Sequence, residues 1–322
     1  MITRRQILLS GILLAAIGNT GAQQTKGLKK IGVLHTRPPT DERYQALVSG
    51  LRDLGYIEGK TMLVVYRHGP DAELPQLAEA LVRENVDLIF APTPPVAQAA
   101  RKATATIPVV FSAVGDPVLT GLAASLSRPG ANLTGLTALG SNLSGKRLEL
   151  LKEIVPRLSR VAVIWNPAIP DKVVEWKEIQ APAQALKLEL VSIEARVPAD
   201  LADAFENARR ARPEALLALP DPLLFNQRGR VIEFATQVRL PLITAWLEAA
   251  EGGALIAYGP NIADLYRRSA VYIDKILKGA KPGELPIQEP ALFDFVINQK
   301  TAKQLAITVP QSILVRATKI IE

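Results

Sequence analysis

Short apolar runs and amphipathic stretches alternate along this chain from residue 28 almost to its end, and the alternation predicts successive strand–helix units. Residues 31–34, 62–66, 87–90 and 108–111 are runs typical of buried strands, and 41–54, 74–83 and 96–103 between them carry apolar residues at helical spacing. In the first of these helices Tyr44, Leu47, Val48, Leu51 and Leu54 share one face, with Thr40 before it and Gly55 after it. Residues 118–126 are expected as the next helix and 133–136 as a strand leaving this first set. A second set follows: helix 146–154, strand 161–165, helix 173–186, strand 189–193, helix 200–211, strand 215–219, helix 225–238 and strand 241–244. Each half holds about four units at the spacing of a βα step, so the fold class is α/β, two doubly wound parallel-sheet lobes. Residues 253–258 and 282–290 read as extended crossings around a long amphipathic helix at 261–278, with short helices at 300–305 and 312–320. Crossings near Leu136, Tyr258 and Glu289 would make a three-crossing hinge over a cleft. The expected lobes are 23–137 plus 259–285, and 138–258 plus 286–322.

Residues 1–22 predict an export signal peptide: Thr3-Arg4-Arg5, an apolar run at 7–17, and Thr20-Gly21-Ala22 as a cleavage site. The run is too short to span a bilayer, and the arginine pair leaves the Sec and twin-arginine routes both open. Composition then narrows the chemistry. With 48% hydrophobic residues in 322, the chain can fill two cores. Cysteine is absent, which excludes disulfides, thiolate metal sites, a cysteine nucleophile and a lipidated cysteine anchor. His35 and His68 alone make no metal site, and no cofactor is expected. The net charge of +7 is scattered without an aromatic-interleaved basic stripe, so a solvated surface is expected rather than nucleic-acid binding.

In parallel sheets, ligands sit beyond the carboxyl ends of the strands. The candidate ligand-binding residues are His35, Thr36, Thr93 and Asp116 in the first lobe, Asn166, Asp221 and Trp246 in the second, and Tyr258 at a crossing. Asp116, Asn166 and Asp221 each precede proline and are good N-caps in their own right. A capping carboxylate still presents its other oxygen to a ligand ammonium or hydroxyl. Trp246 and Tyr258 suit either stacking on a planar ligand or core packing, and Trp165 reads as core. Residues 140–147 come close to a phosphate-binding loop, but Arg147 stands where Ser or Thr would hold magnesium. No Gly-x-Gly-x-x-Gly follows a strand and no Gly-x-Ser-x-Gly is present. His35 is the one candidate general base, and no catalytic residue is assigned.

Several runs together resemble the solute-binding proteins of ABC importers, in the branch with tryptophan- and tyrosine-type components. They are Ile31-Gly32-Val33-Leu34, the segment 50–59, Gly115-Asp116-Pro117, the segments 128–135 and 146–153, Tyr258-Gly259-Pro260-Asn261 with Arg267-Arg268, and the segments 276–282 and 295–302. The resemblance implies a type I periplasmic binding fold in an exported, periplasmic monomer. It also implies capture of a small molecule such as an amino acid or related metabolite, and delivery to an inner-membrane permease with its ATPase. One departure stands out: Pro92-Thr93-Pro94-Pro95 replaces the Gly-rich turn usual in the family after the third strand. Two prolines remove N–H donors there, leaving the Thr93 hydroxyl and the N–H groups of Val96 and Ala97 for an anion. The alternatives are an α/β enzyme using the same cleft and a ligand-responsive transcription regulator, the latter disfavoured because a leader stands where DNA-binding helices would.

Overall fold

The computed structural model describes residues 28–139 and 141–322; the expected leader at 1–22 and Gly140 of the phosphate-loop-like run lie outside the described residues. The first lobe runs β1 (Lys29–His35), α1 (Glu42–Asp53), β2 (Met62–His68), α2 (Leu74–Arg83), β3 (Leu88–Phe90), α3 (Pro94–Ala103), β4 (Val109–Val114) and β5 (Leu133–Thr137). Its five strands are all parallel, in the order β2-β1-β3-β4-β5. The central strands are continuous apolar runs because both faces are covered. Leu34, Ile89, Val109 and Phe111 pack on one side, and Ile31, Val33, Leu88 and Val110 on the other.

The second lobe follows as α4 (Ser141–Ile154), β6 (Arg160–Trp165), α5 (Pro170–Glu178), α6 (Gln180–Ala185), β7 (Glu189–Glu194), α7 (Leu201–Ala211) and β8 (Ala215–Ala218). Then come α8 (Pro222–Asn226), α9 (Arg228–Gln237), β9 (Leu242–Thr244), α10 (Leu247–Glu251) and β10 (Ile256–Pro260). From Asn261 the chain goes back to the first lobe for α11 (Ile262–Leu277), whose Leu265, Tyr266, Ile273 and Ile276 share a core with α1 and β1. It finishes in the second lobe with β11 (Phe293–Asn298), α12 (Gln299–Gln304), α13 (Gln311–Leu314) and β12 (Lys319–Ile321). The seven-stranded order is β12-β11-β10-β9-β8-β6-β7, with β11 antiparallel to β10 and β12 parallel to β11.

Several expectations change. Residues 253–258 are no crossing: Ile256–Pro260 is β10, hydrogen-bonded between β9 and β11. The strand at 133–136 stays in the first sheet as β5, its edge. The helix expected at 118–126 is a series of turns, because Gly121 takes a left-handed φ of 69° directly after the Asp116-capped turn. The helix expected at 173–186 is two, α5 and α6, since a proline such as Pro182 cannot continue a helix from the preceding turn. The crossing at 282–290 contains a 3-10 turn, Pro282–Glu284, and a bridge from Gln288 to Leu136. In the tail, helix 312–320 shortens to α13, and the remainder becomes β12 on the sheet edge.

Gly50 marks the tightest helix contact. A Cβ there would stand 2.5 Å from the Arg267 carbonyl oxygen and 3.0 Å from the Ala270 Cβ, so α1 and α11 approach through a missing side chain. Gly50→Ala is therefore expected to destabilise by about 1–3 kcal/mol despite alanine's better helix propensity. Gly229→Ala in exposed α9, where nothing lies within 4 Å, should instead gain up to about 1 kcal/mol. Denaturant midpoints of the two variants check the opposite signs.

Candidate functional site

The carboxyl ends of both sheets face the space between the lobes, and side chains of the two lobes meet there. Arg43 of α1 forms an ion pair with Glu248 of α10. Asp171, in the first turn of α5, lies so near Gly115 that a Cβ on that glycine would meet its Oδ2 at 2.6 Å. The arrangement is therefore closed.

Seven of the eight expected residues lie at or just past strand ends, but they are not equally available. His35 ends β1 and is 2% exposed. The Arg37 backbone N–H donates to its Nδ1 at 2.9 Å, which fixes the neutral tautomer with its proton on Nε2, 3.1 Å from Tyr266 Oη. Burial lowers its pKa to about 4, with the Asp41 carboxylate opposing the shift. Both ring nitrogens are engaged within the chain, where they support the β1–α1 turn. Thr36 is half-buried beside it. Tyr258 lies within β10, half-buried, and packs against Phe293 and Phe295 beside the core beneath that strand. Trp165 stacks on Trp176 at 5.5 Å and donates Nε1–H to Ser192 Oγ, as a core residue.

The remaining candidates divide by how their polar atoms are used. Thr93 precedes α3 but its hydroxyl makes no capping bond, and Pro94 opens that helix. Asp116 Oδ1 accepts the N–H groups of Val118 and Leu119 at 2.8 and 3.0 Å. Asn166 Oδ1 accepts from Ala168 N–H at 3.0 Å. Trp246 leads into α10 and meets the Phe225 ring edge-on at 5.4 Å.

Asp221 differs from all of these. It is 5% exposed; Oδ1 caps α8 by accepting the Leu224 N–H at 2.9 Å, and Oδ2 is buried without a partner. Burial raises its pKa to about 6, against the pull of the Leu224 N–H and of the Lys172 charge. Lys172 belongs to a network the sequence reading missed. Its Nζ lies 2.6 Å from Glu175 Oε2 and 3.1 Å from Asp171 Oδ2. Glu175 also accepts from Ser144 Oγ and pairs at 3.6 Å with Arg147, a fully buried residue whose Nε–H donates to the Tyr258 carbonyl at 2.8 Å. The network balances two cations against two carboxylates, and it lies near a buried carboxylate that has one oxygen free. Such a site can accept an ammonium group, with the lobes excluding water around it.

Comparison with known proteins agrees with this architecture. A conserved-domain protein of Vibrio cholerae is 34% identical, with a TM-score of 0.84 over 91% of this chain and 100% of that one. A curated tyrosine-binding protein of Clostridioides difficile is 27% identical over 87% of this chain and 82% of its own. An ABC domain from Streptococcus pneumonia in complex with L-Trp, 24% identical, superposes with a TM-score of 0.83 over 92% of this chain and 100% of that one. A ligand-free, open substrate-binding protein from Clostridium difficile, 25% identical, gives 0.72 over 92% and 99%. The model for ABC transporter substrate-binding proteins matches residues 30–321, so this chain belongs to that family, as a substrate-binding component of an ABC transporter.

Proposed function

We propose that the ligand is an amino acid or a closely related metabolite, held between the lobes with its ammonium on Asp221. The observation that carries this is the unpartnered, buried Oδ2 of Asp221 at the carboxyl end of β8, beside Lys172. A buried carboxylate with a free oxygen is costly unless a cation completes it. Trp246 and the edge of Phe225 offer a face for a planar side chain, in line with the tyrosine and tryptophan named for two relatives. The ligand carboxylate is gripped by the Thr93 hydroxyl and the Val96 N–H, a weaker anion site than an all-amide turn because Pro94 and Pro95 donate nothing and the Ala97 N–H is already given to the Thr93 carbonyl at 2.8 Å. Asn166, Asp116 and Thr36 complete the rim.

In this reading the protein is exported by the leader at 1–22, works in the periplasm as a monomer, and hands its ligand unchanged to a permease with its ATPase. The moving units are the two lobes, divided near 137, 259 and 286. No helix among the described residues is long and apolar enough to cross a membrane.

A thermal-shift screen of the twenty amino acids against residues 23–322, followed by isothermal titration of any that bind, tests the assignment. Binding by mass action should raise the melting temperature by several degrees for at least one amino acid, and the ligand should be recovered intact. Stabilisation only by compounds lacking an amino group, or recovery of an altered compound, would overturn it.

A further inference from the structure

Beside the Gly115–Asp171 approach, side chains of both lobes gather on one aromatic ring. Phe225 of α8 carries three guanidinium groups: Arg37 and Arg43 from the first lobe, with Cζ atoms 4.7 and 4.9 Å from the ring centroid, and Arg228 from its own lobe at 4.7 Å. Arg43 pairs with Glu248, and among the described residues that is the one ion pair joining α1 to the second lobe. Arg37 is neutralised at home by Asp41, 2.7 Å away.

The two first-lobe arginines are held ready for this contact. The Arg37 N–H is fixed on His35 Nδ1 at 2.9 Å, and its carbonyl accepts from Tyr66 Oη at 3.0 Å. Asp41 caps α1 through the Arg43 N–H at 3.0 Å. Tyr266 of α11 holds the other side of His35, so the turn between β1 and α1 is fastened on three sides. Little side-chain and loop entropy then remains to be lost when the lobes meet. Every partner in the cluster belongs to the chain itself, so its contribution does not depend on which ligand fills the cleft.

We propose that Arg43 and Glu248, with Arg37, Arg228 and Phe225, form an inter-lobe clasp that populates the closed arrangement before a ligand arrives. Glu248 has two effects in it: it attracts Arg43, and it screens the repulsion among three guanidinium groups around one ring. Opening separates Arg37 and Arg43 from Phe225 and leaves Arg43 in water. An exposed ion pair and two cation–π contacts together bias closure by about tenfold or more. A ligand that needs the closed arrangement then binds tighter by the fraction already closed.

Small-angle scattering of the unliganded chain tests this, comparing wild type with Glu248→Gln, Phe225→Leu and the double variant Arg43→Gln/Glu248→Gln. Wild type should scatter as the closed structure described here. Glu248→Gln should show a larger radius of gyration, because it loses the attraction and keeps the repulsion. Phe225→Leu should open partly, and the double variant should fall between Glu248→Gln and wild type, because one repelling charge is gone. Melting temperatures measured alongside separate opening from unfolding, since a folded variant keeps its cooperative transition. An open wild type, or folded variants that scatter as wild type does, would overturn the clasp. Neither result would touch the assignment of Asp221, which does not depend on closure without ligand.

Discussion

Asp221→Asn is expected to raise stability near neutral pH and to weaken amino-acid binding in the same variant. The carboxyl is buried and keeps its proton up to about pH 6 in the folded chain, against an ordinary value of 3.8. Between those two values the unfolded chain has lost a proton that the folded chain still holds, so stability falls as pH rises through the window and then levels off. Above it, the buried charge costs about 3 kcal/mol relative to acid. Asparagine keeps the oxygen that accepts the Leu224 N–H and removes the charge. Allowing for a buried amide N–H, the variant should gain about 1–3 kcal/mol at pH 7 and nothing by pH 4. Binding moves the other way, since the ligand ammonium loses a charged partner, by at least about tenfold. His35 responds to acid in the opposite sense, because below 6.5 the unfolded chain takes up a proton that the folded ring refuses until about pH 4. That contribution is common to both proteins and cancels in their difference. Denaturant midpoints from pH 4 to 8, with titrations of L-tyrosine and L-tryptophan, check both halves. Unchanged binding would remove Asp221 from the site, and an unchanged midpoint at pH 7 would mean its second oxygen is already paired.

What was legible of Asp221 is its place and its cap. An acid that follows an apolar strand and precedes proline is a recognisable cap, and the cap uses one oxygen and leaves the other. The α/β order was legible for a related reason, because strands covered on both faces are unbroken apolar runs such as Val161-Ala162-Val163-Ile164. What stayed hidden depends on partners far along the chain. His35 was placed correctly at the end of β1, but the direction of its ring is decided by Tyr266, 231 residues away. Arg43 and Glu248, 205 residues apart, read separately as ordinary surface charges. The extended segment 256–260 became a sheet strand because β11 arrives beside it from the last tenth of the chain, and no local pattern announces that pairing. Lys172, Glu175 and Ile179 have the spacing of a buried helical face, yet a face made of Lys and Glu reads as solvated by hydropathy alone.

That buried charged face carries the second large prediction: Glu175→Gln should cost about 3–5 kcal/mol, although it changes a single atom type. Glu175 is 1% exposed and stands between two buried cations, 2.6 Å from Lys172 Nζ and 3.6 Å from Arg147 Nη1. Lys172 has a second acid, Asp171 at 3.1 Å. Arg147 has none: burial pushes its pKa down, the Glu175 charge is what holds it up, and a guanidinium does not deprotonate in a folded protein. Its Nη2 is already without a partner, so loss of Glu175 leaves a buried charge supported only by Ser144 and the Tyr258 carbonyl. If this is the origin of the loss, Arg147→Met should restore much of it, because methionine fills the arginine's stem volume without its charge. The double variant should therefore be more stable than Glu175→Gln alone, a coupling of about 2 kcal/mol or more between residues in direct contact. Denaturant midpoints of the two single variants and the double variant close the cycle, and additive losses would show that Arg147 is stabilised by something other than Glu175.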